Sequence, residues 1–402
     1  MYSDLIKKEF GSLEDIEIVV GIPTKNEGDN ISFVARQVDR GLSETFPGKR
    51  ALLIDCDSVS EDDTKKKFLE TETFASKKYI TTPPGVLGKG NAFRMFFEIV
   101  RHLKPKAVMV VDADLTSISP QWVRMMLMPI FNGYDYVAPY YTRNRFDGSI
   151  TNHICFPVLY GLLGYNVRQP IAGDFAFSPK LNDYWLRQEW TETTGFYGID
   201  IFMTTHALFG NFSICQVSLG EKSHKPSAPK LDRMFSEVVG TLFDNITSNK
   251  GKWLRKNFVT DVKIMGAKTL EEPKLGIDKE KILSTAFLNY KKDLAKKYLE
   301  KETFEKINDM FYRKEIRISG DLWAKAVYDS LFSYYSYRRR KIRKEIVESL
   351  KALYFGRMYS FINDFERSPV EAVDEAFREQ AEDFRKMRPY FIEKITKIGR
   401  GR

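Results

Sequence analysis

From residue 16 onward, short Val- and Ile-rich runs alternate with amphipathic stretches, and that order admits few folds. Residues 16–22, 51–54, 78–82 and 106–111 read as strands. They are short, rich in β-branched residues and bounded by polar turns. Between them lie helical patterns: Ile31, Val34, Val38 and Leu42 share one face, Phe68 and Leu69 begin another, and residues 91–103 form a third. Asp29 or Asn30 is placed to cap the first, Ser60 and Asp63 resemble a capping box for the second, and Ser119-Pro120 opens a fourth with serine at N-cap and proline at N1. Repeated strand–loop–helix units predict an α/β fold with a mainly parallel sheet covered on both faces. Pro23 should break the first strand.

The run at 106–111 stops at Asp112-Ala113-Asp114. Two carboxylates at i and i+2 where a strand becomes a loop can converge on one hard cation, Mg²⁺ or Mn²⁺, that keeps open positions for phosphate oxygens. Ligands bind at the carboxyl ends of strands in such sheets. A solvated Asp pair in a turn is the plainer alternative. The loop Gly85-Val86-Leu87-Gly88-Lys89-Gly90 has neither P-loop nor dinucleotide spacing. It offers backbone N–H groups, Lys89 and a helix start to an anion, and would equally serve as an ordinary capped loop.

With 402 residues, the chain exceeds one ordinary core. Beyond residue 229 strand signals vanish and long helical patterns dominate, so two domains are expected, 1–228 and 229–402, with joints at 249–251 and 271–274. Tyr334, Tyr335, Tyr337, Tyr354 and Tyr359 are expected to pack between helices. No apolar run is long enough to cross a bilayer, and the first ten residues lack a signal-peptide core. Three scattered cysteines point to a reducing cytoplasm and no zinc site. Net charge is +9, and its densest run, 338–344, reads as a solvated helix face. A small anionic substrate is therefore expected ahead of nucleic acid.

Four motifs in order carry a resemblance: Gly21-Ile22-Pro23-Thr24-Lys25-Asn26-Glu27, Asp55 with Ser58, Gly88-Lys89-Gly90, and Asp112-Ala113-Asp114. They resemble nucleotide-sugar glycosyltransferases of the GT-A fold. Gln169-Pro170-Ile171-Ala172-Gly173-Asp174, Gly198-Ile199-Asp200 and Lys222-Ser223-His224 are similar to motifs of mannosylglycerate synthase and glucosyl-3-phosphoglycerate synthase, with Asp174 where that family carries Glu. The resemblance implies a GT-A domain followed by a helical C-terminal domain. It implies a retaining transfer of glucose or mannose from a nucleoside-diphosphate sugar to D-glycerate or 3-phosphoglycerate, by front-face displacement.

By the same resemblance Asp112, Asp114 and His224 would hold Mg²⁺ or Mn²⁺. Pro23, Glu27, Asp55, Lys89, Asp112, Gln169 and Asp174 would bind the donor, with Lys89, Asp174 and Asp200 in catalytic roles. Arg143, Arg145 and Thr151 would bind the acceptor, arginine suiting a carboxylate because its fork pairs bidentately. A cytoplasmic enzyme without a transmembrane anchor, with a homodimer among its expected assemblies, completes the expectation. A polyprenyl-phosphate sugar transferase is the rival enzyme reading. An RNA-binding or scaffold module with an inactive transferase half is the rival from another class.

Overall fold

The computed structural model describes residues 3–225, 230–267 and 276–400. The boundary expected at 228–229 and the joint expected at 271–274 lie outside those residues. Contacts divide the chain into two compact units. The first comprises Met1–Thr142, Gln169–Pro229 and Val262–Glu271; the second comprises Arg143–Arg168, Lys230–Asp261 and Glu272–Arg402.

The described strands, in chain order, are β1 (Ile18–Thr24), β2 (Ala51–Asp57), β3 (Ser76–Thr81), β4 (Ala107–Val110), β5 (Tyr136–Thr142), β6 (Tyr165–Asn166), β7 (Phe175–Phe177), β8 (Ile214–Glu221), β9 (Thr260–Asp261) and β10 (Ile264–Met265). Eight of them form the sheet of the first unit, in the order β10-β8-β5-β7-β4-β1-β2-β3. Neighbours are parallel except β7, which runs antiparallel to both β4 and β5. This is the mainly parallel α/β sheet the alternation requires.

One face buries Ile18, Val20 and Ile22 together with Val34, Val38 and Leu42 of the helix Ile31–Thr45 and Val123 and Met126 of the helix Pro120–Phe131. The other face meets the helix Lys89–Leu103, where Phe96 lies so close that a Cβ on Gly21 would sit 2.7 Å from its ring.

β1 does not stop at Pro23. It continues through Thr24, paired with Asp57. β4 ends at Val110, opposite Gly21, so Pro23, whose backbone faces the same side as that of Gly21, has no strand on its β4 side and is paired in register only with Cys56 of β2. Its missing N–H therefore breaks no ladder bond. The capping box at Ser60 and Asp63 does not form. The helix Thr64–Glu70 starts after Asp63 without a side-chain cap, because the backbone N–H and hydroxyl of Ser60 both donate to Asp57 instead. Asn30 and Ser119 stand at N-cap positions without capping side-chain bonds, Pro120 following the latter at N1.

The second unit is helical apart from the short β6–β9 pair. Its longest described helices are Leu231–Ser248, Gly320–Ser336, Arg340–Phe365 and Val370–Arg400. Residues 143–168, inside the range expected for the first domain, group with these helices for a packing reason. Their buried helical stretch, π-wound over Thr151–Cys155 and Leu159–Leu163, passes so close to Phe384 that a Cβ on Gly161 would lie 2.5 Å from it. Trp323 Nε1 donates to the His153 carbonyl and Gln380 Nε2 to that of Asn152.

Of the tyrosine stripe, Tyr334 and Tyr354 are buried, Tyr335 and Tyr359 are half-buried, and Tyr337 is exposed. Tyr354 stacks on Phe235 with centroids 4.5 Å apart, and Tyr334 meets Phe243 edge-on. Arg338 to Lys341 are exposed, while Arg343 pairs with Asp244. Cys56, Cys155 and Cys215 are buried, and none is in a disulfide among the described residues. Among the described residues no helix is long and apolar enough to cross a membrane.

Candidate active site

The carboxyl ends of β4 and β8 and the segment leading into β7 bring together a network of acids and lysines within the first unit. Its centre is Asp112, two residues past β4. Lys89 Nζ lies 2.8 Å from Asp112 Oδ1, and Lys222 Nζ lies 3.3 Å from Asp112 Oδ2. Lys222 also donates to Asp174 Oδ2 at 2.8 Å and to the Ala172 carbonyl at 2.7 Å, with 3% of its side chain exposed. The Asp112 backbone N–H donates to Asp174 Oδ1 at 2.8 Å, and the Tyr141 hydroxyl donates to Asp174 Oδ2 at 2.6 Å. Asp200 Oδ1 is 3.4 Å from Lys89 Nζ and has no better-directed hydrogen bond.

Local sequence explains how these groups meet. Gly173 has φ +95°, and a Cβ there would sit 2.1 Å from Asp112 Oδ2. Only glycine lets the 172–174 segment wrap the Asp112–Lys222 pair. The glycines beside Lys89 serve packing. A Cβ on Gly90 would lie 1.8 Å from the Thr194 carbonyl oxygen, and one on Gly88 would lie 2.5 Å from that of Gly195. The helix start is thus pressed against the turn that leads to Asp200, which is why Lys89 and Asp200 meet. Ser58 accepts the Gly88 N–H at 3.0 Å and fixes the loop from the β2 side.

The segment after β8 is stapled to the one after Asp114. Thr116 N–H donates to the Ser223 carbonyl, and Ser223 N–H to Ser117 Oγ, both at 2.9 Å. This places His224 within electrostatic reach of both Asp112 and Asp114. His224 Nδ1 lies 2.7 Å from the Lys225 carbonyl. A carbonyl only accepts, so Nδ1 carries a hydrogen and the neutral ring keeps its lone pair on Nε2.

Burial and the pairings set the charges. Burial works against ionising Asp112, but Lys89 and Lys222 outweigh it and hold its carboxyl well below the usual range. Burial likewise opposes the charge on Lys89, and Asp112, Asp200 and Asp174 overcome it, raising its pKa. Asp200 is pushed up by burial despite Lys89. Asp114 is pushed up by burial and then by the neighbouring charges of Asp112 and Glu27.

In kind, these donors fit a divalent cation. Carboxylates crowded against one another beside an imidazole with a free lone pair match what Mg²⁺ or Mn²⁺ accepts. In arrangement, they are not gathered: among the described residues no three His, Cys, Asp or Glu side chains stand together at metal-binding distance. Both oxygens of Asp112 face lysines.

The remaining expected residues fall as follows. Glu27 accepts from Lys225 at 2.7 Å and from Asn30 at 3.2 Å, at the same strand-end face, with Pro23 half-buried at the end of β1. Asp55 has no exposed surface. It lies beneath the site, its Oδ1 2.5 Å from the Thr24 hydroxyl and its Oδ2 without a partner. Gln169 pairs through its amide with the backbone N–H and carbonyl of Tyr141, acting as an extra rung on β5. Arg143, Arg145 and Thr151 belong to the second unit. There Arg143 pairs with Asp147 at 3.2 Å, Arg145 donates to the Ser368 carbonyl, and Thr151 is buried.

Sequence reasoning passed over Lys222, Tyr141 and Asp57 as site-forming groups. Asp57 had a visible signal, since Asp55-Cys56-Asp57 repeats the i, i+2 acid pair at a second strand end. Tyr141 had none, and Lys222 was marked only by its place in the Lys222-Ser223-His224 motif, because an ion pair between residues 110 positions apart leaves no mark in local pattern.

No protein-family model matches the chain, and no curated protein does. Among solved structures, it is similar to glucosyl-3-phosphoglycerate synthase from Mycobacterium tuberculosis in complex with Mn²⁺, uridine diphosphate and phosphoglyceric acid. The identity is 24%, covering 60% of this chain and 81% of that one, with a TM-score of 0.47. The same enzyme in complex with Mg²⁺ and uridine diphosphate matches at 24% identity over 60% and 82% of the two chains, with a TM-score of 0.46. A likeness of that degree assigns this chain no activity.

Proposed function

We propose that this chain is a metal-dependent retaining glycosyltransferase that moves glucose or mannose from a nucleoside-diphosphate sugar to a small anionic acceptor, D-glycerate or 3-phosphoglycerate. The observation that carries the reading is the Lys89–Asp112–Lys222–Asp174 network, with Asp114 and His224 beside it, at the carboxyl ends of a parallel sheet. That is where such sheets bind ligands, and the network supplies both cations for a diphosphate and oxygens for a metal.

Breaking a sugar–diphosphate bond builds negative charge on the departing phosphate, and groups aimed at that charge lower the barrier. A bound Mg²⁺ or Mn²⁺, held by Asp112, Asp114 and His224, would supply Lewis-acid neutralisation of that charge. Lys89 sits at the first residue of a helix, where backbone N–H groups also favour an anion, and its ammonium takes the diphosphate. Glu27, with Pro23 beside it, faces the nucleoside. Asp55 lies below this face and acts through Thr24.

Asp200, buried beside Lys89, accepts from a hexose hydroxyl. Asp174 already has both oxygens engaged, so it acts as a positioning residue that sets Asp112 and the 172–174 segment, and Gln169 positions β5. Arg143, Arg145 and Thr151 are assigned to the acceptor on the sequence resemblance alone.

The test is a donor–acceptor matrix: GDP- and UDP-linked glucose and mannose against D-glycerate, 3-phosphoglycerate and a polyprenyl phosphate, with Mn²⁺ or with chelator. Metal-dependent glycoside formation on a glycerate acceptor is expected. Transfer only to the lipid phosphate, or undiminished transfer in chelator, would overturn the assignment.

A further inference from the structure

Two ammonium groups share one carboxylate at Asp112, and they are not held alike. Lys222 is clamped by the Ala172 carbonyl at 2.7 Å and Asp174 at 2.8 Å, with 3% of its side chain exposed. Lys89 is 18% exposed, and beyond Asp112 its contacts are Asp200 at 3.4 Å and the Phe93 ring at 5.5 Å. Both are cations next to acids, but only Lys89, half-buried, starts a helix at a surface loop and can swing away on its own side chain. Asp112 Oδ1, the oxygen Lys89 covers, is therefore the one that can be released. Oδ2 stays with Lys222.

We propose that Lys89 is a movable counter-ion: it occupies the metal's place on Asp112 in the nucleotide-free protein and transfers to the diphosphate when metal and donor bind. This rests on the transferase reading above. A cation binding alone must displace Lys89 and leave its ammonium with Asp200 only. A cation arriving with a diphosphate gives Lys89 new oxygens to pair with. Metal and nucleotide binding are therefore positively coupled through one side chain, and the coupling is reciprocal.

The test is Mn²⁺ binding, followed by electron paramagnetic resonance of the free ion, without and with UDP or GDP. The proteins are the full-length wild type, Lys89→Met, Lys89→Gln and Lys89→Arg, with thermal unfolding as the check on folding. A charge-assisted hydrogen bond is worth about ten- to a hundredfold in an equilibrium constant. Lys89→Met and Lys89→Gln are accordingly expected to bind Mn²⁺ at least about tenfold tighter than wild type without nucleotide, and to gain less from adding it. Lys89→Arg, which keeps the cation, is expected to follow wild type.

If both neutral variants fold and bind Mn²⁺ no tighter than wild type, while nucleotide still draws Mn²⁺ into every protein, the counter-ion role is wrong and the transferase reading survives. If no protein binds Mn²⁺ even with nucleotide, both are wrong.

Discussion

Asp55 makes the stability of the first unit depend on pH in a direction opposite to that of most carboxylates. The Thr24 hydroxyl lies 2.5 Å from Asp55 Oδ1 and 3.0 Å from Asp57 Oδ1, and it carries one hydrogen. Asp57 also accepts from Ser60 and Tyr79, so it has the larger set of hydrogen-bond donors. The single Thr24 hydrogen cannot serve two carboxylates at once, so the site is better satisfied with Asp55 neutral. Burial first, and then the charge on Asp57, push the Asp55 pKa from 3.8 to about 8 against the opposing Thr24 bond.

The sign follows from proton binding. The folded state holds one proton more than the unfolded state between pH 4 and pH 8, roughly. Stability from this group is fully present below the unfolded pKa and is lost as pH rises through the folded one. The slope approaches 1.4 kcal/mol per pH unit, roughly, which over the whole window is on the order of 5 kcal/mol. Asp55→Asn copies the neutral acid, its amide oxygen accepting from the Thr24 hydroxyl where the carboxyl oxygen does.

The assay is urea unfolding of wild type and Asp55→Asn in parallel from pH 4.5 to pH 8.5, roughly the titration window. The variant should fall near wild type at the acid end and become progressively more stable than wild type toward the alkaline end. Taking the difference cancels every other titrating group. A difference that stays constant across the range would refute the neutral-Asp55 argument.

Three further outcomes are expected. Gly173→Ala forces a Cβ to within 2.1 Å of Asp112 Oδ2 at φ +95°, so it should cost about 1–3 kcal/mol of stability and lower turnover at least tenfold; a melt and a rate both at wild-type level would contradict the wrapped geometry. Tyr141→Phe removes the 2.6 Å donor to Asp174 and should cost about 1–2 kcal/mol in denaturant unfolding, with no loss counting against Asp174 as the buried clamp. Asp114→Ala should raise the Mn²⁺ concentration needed for transfer about tenfold or more while the melting temperature stays within a few degrees, and an unchanged metal requirement would remove Asp114 from the ligand set.

Much of the first unit was legible in the chain because it is written in short-range pattern. Val- and Ile-rich runs ending in polar turns gave β1 to β4 to within a few residues. The acids at 55, 112 and 114 were visible as strand-end residues, a position their neighbours define. β7 and β10 were not, since three and two residues carry no periodicity and form only because a neighbouring strand offers a free edge.

The character of the site belongs to the tertiary structure. Sequence marks Lys222 and Asp174 as motif residues but cannot say that one buries its ammonium on the other's carboxylate, a contact between residues 48 positions apart. It marks Gly88, Gly90 and Gly173 as motif glycines, whereas two of them are required by a backbone lying against them and one by the Asp112 carboxylate. It assigned residues 143–168 by chain position, whereas buried helical packing against Trp323, Gln380 and Phe384 decided their unit. Periodicity records which face of an element is apolar; what that face meets is settled only when distant segments close on one another.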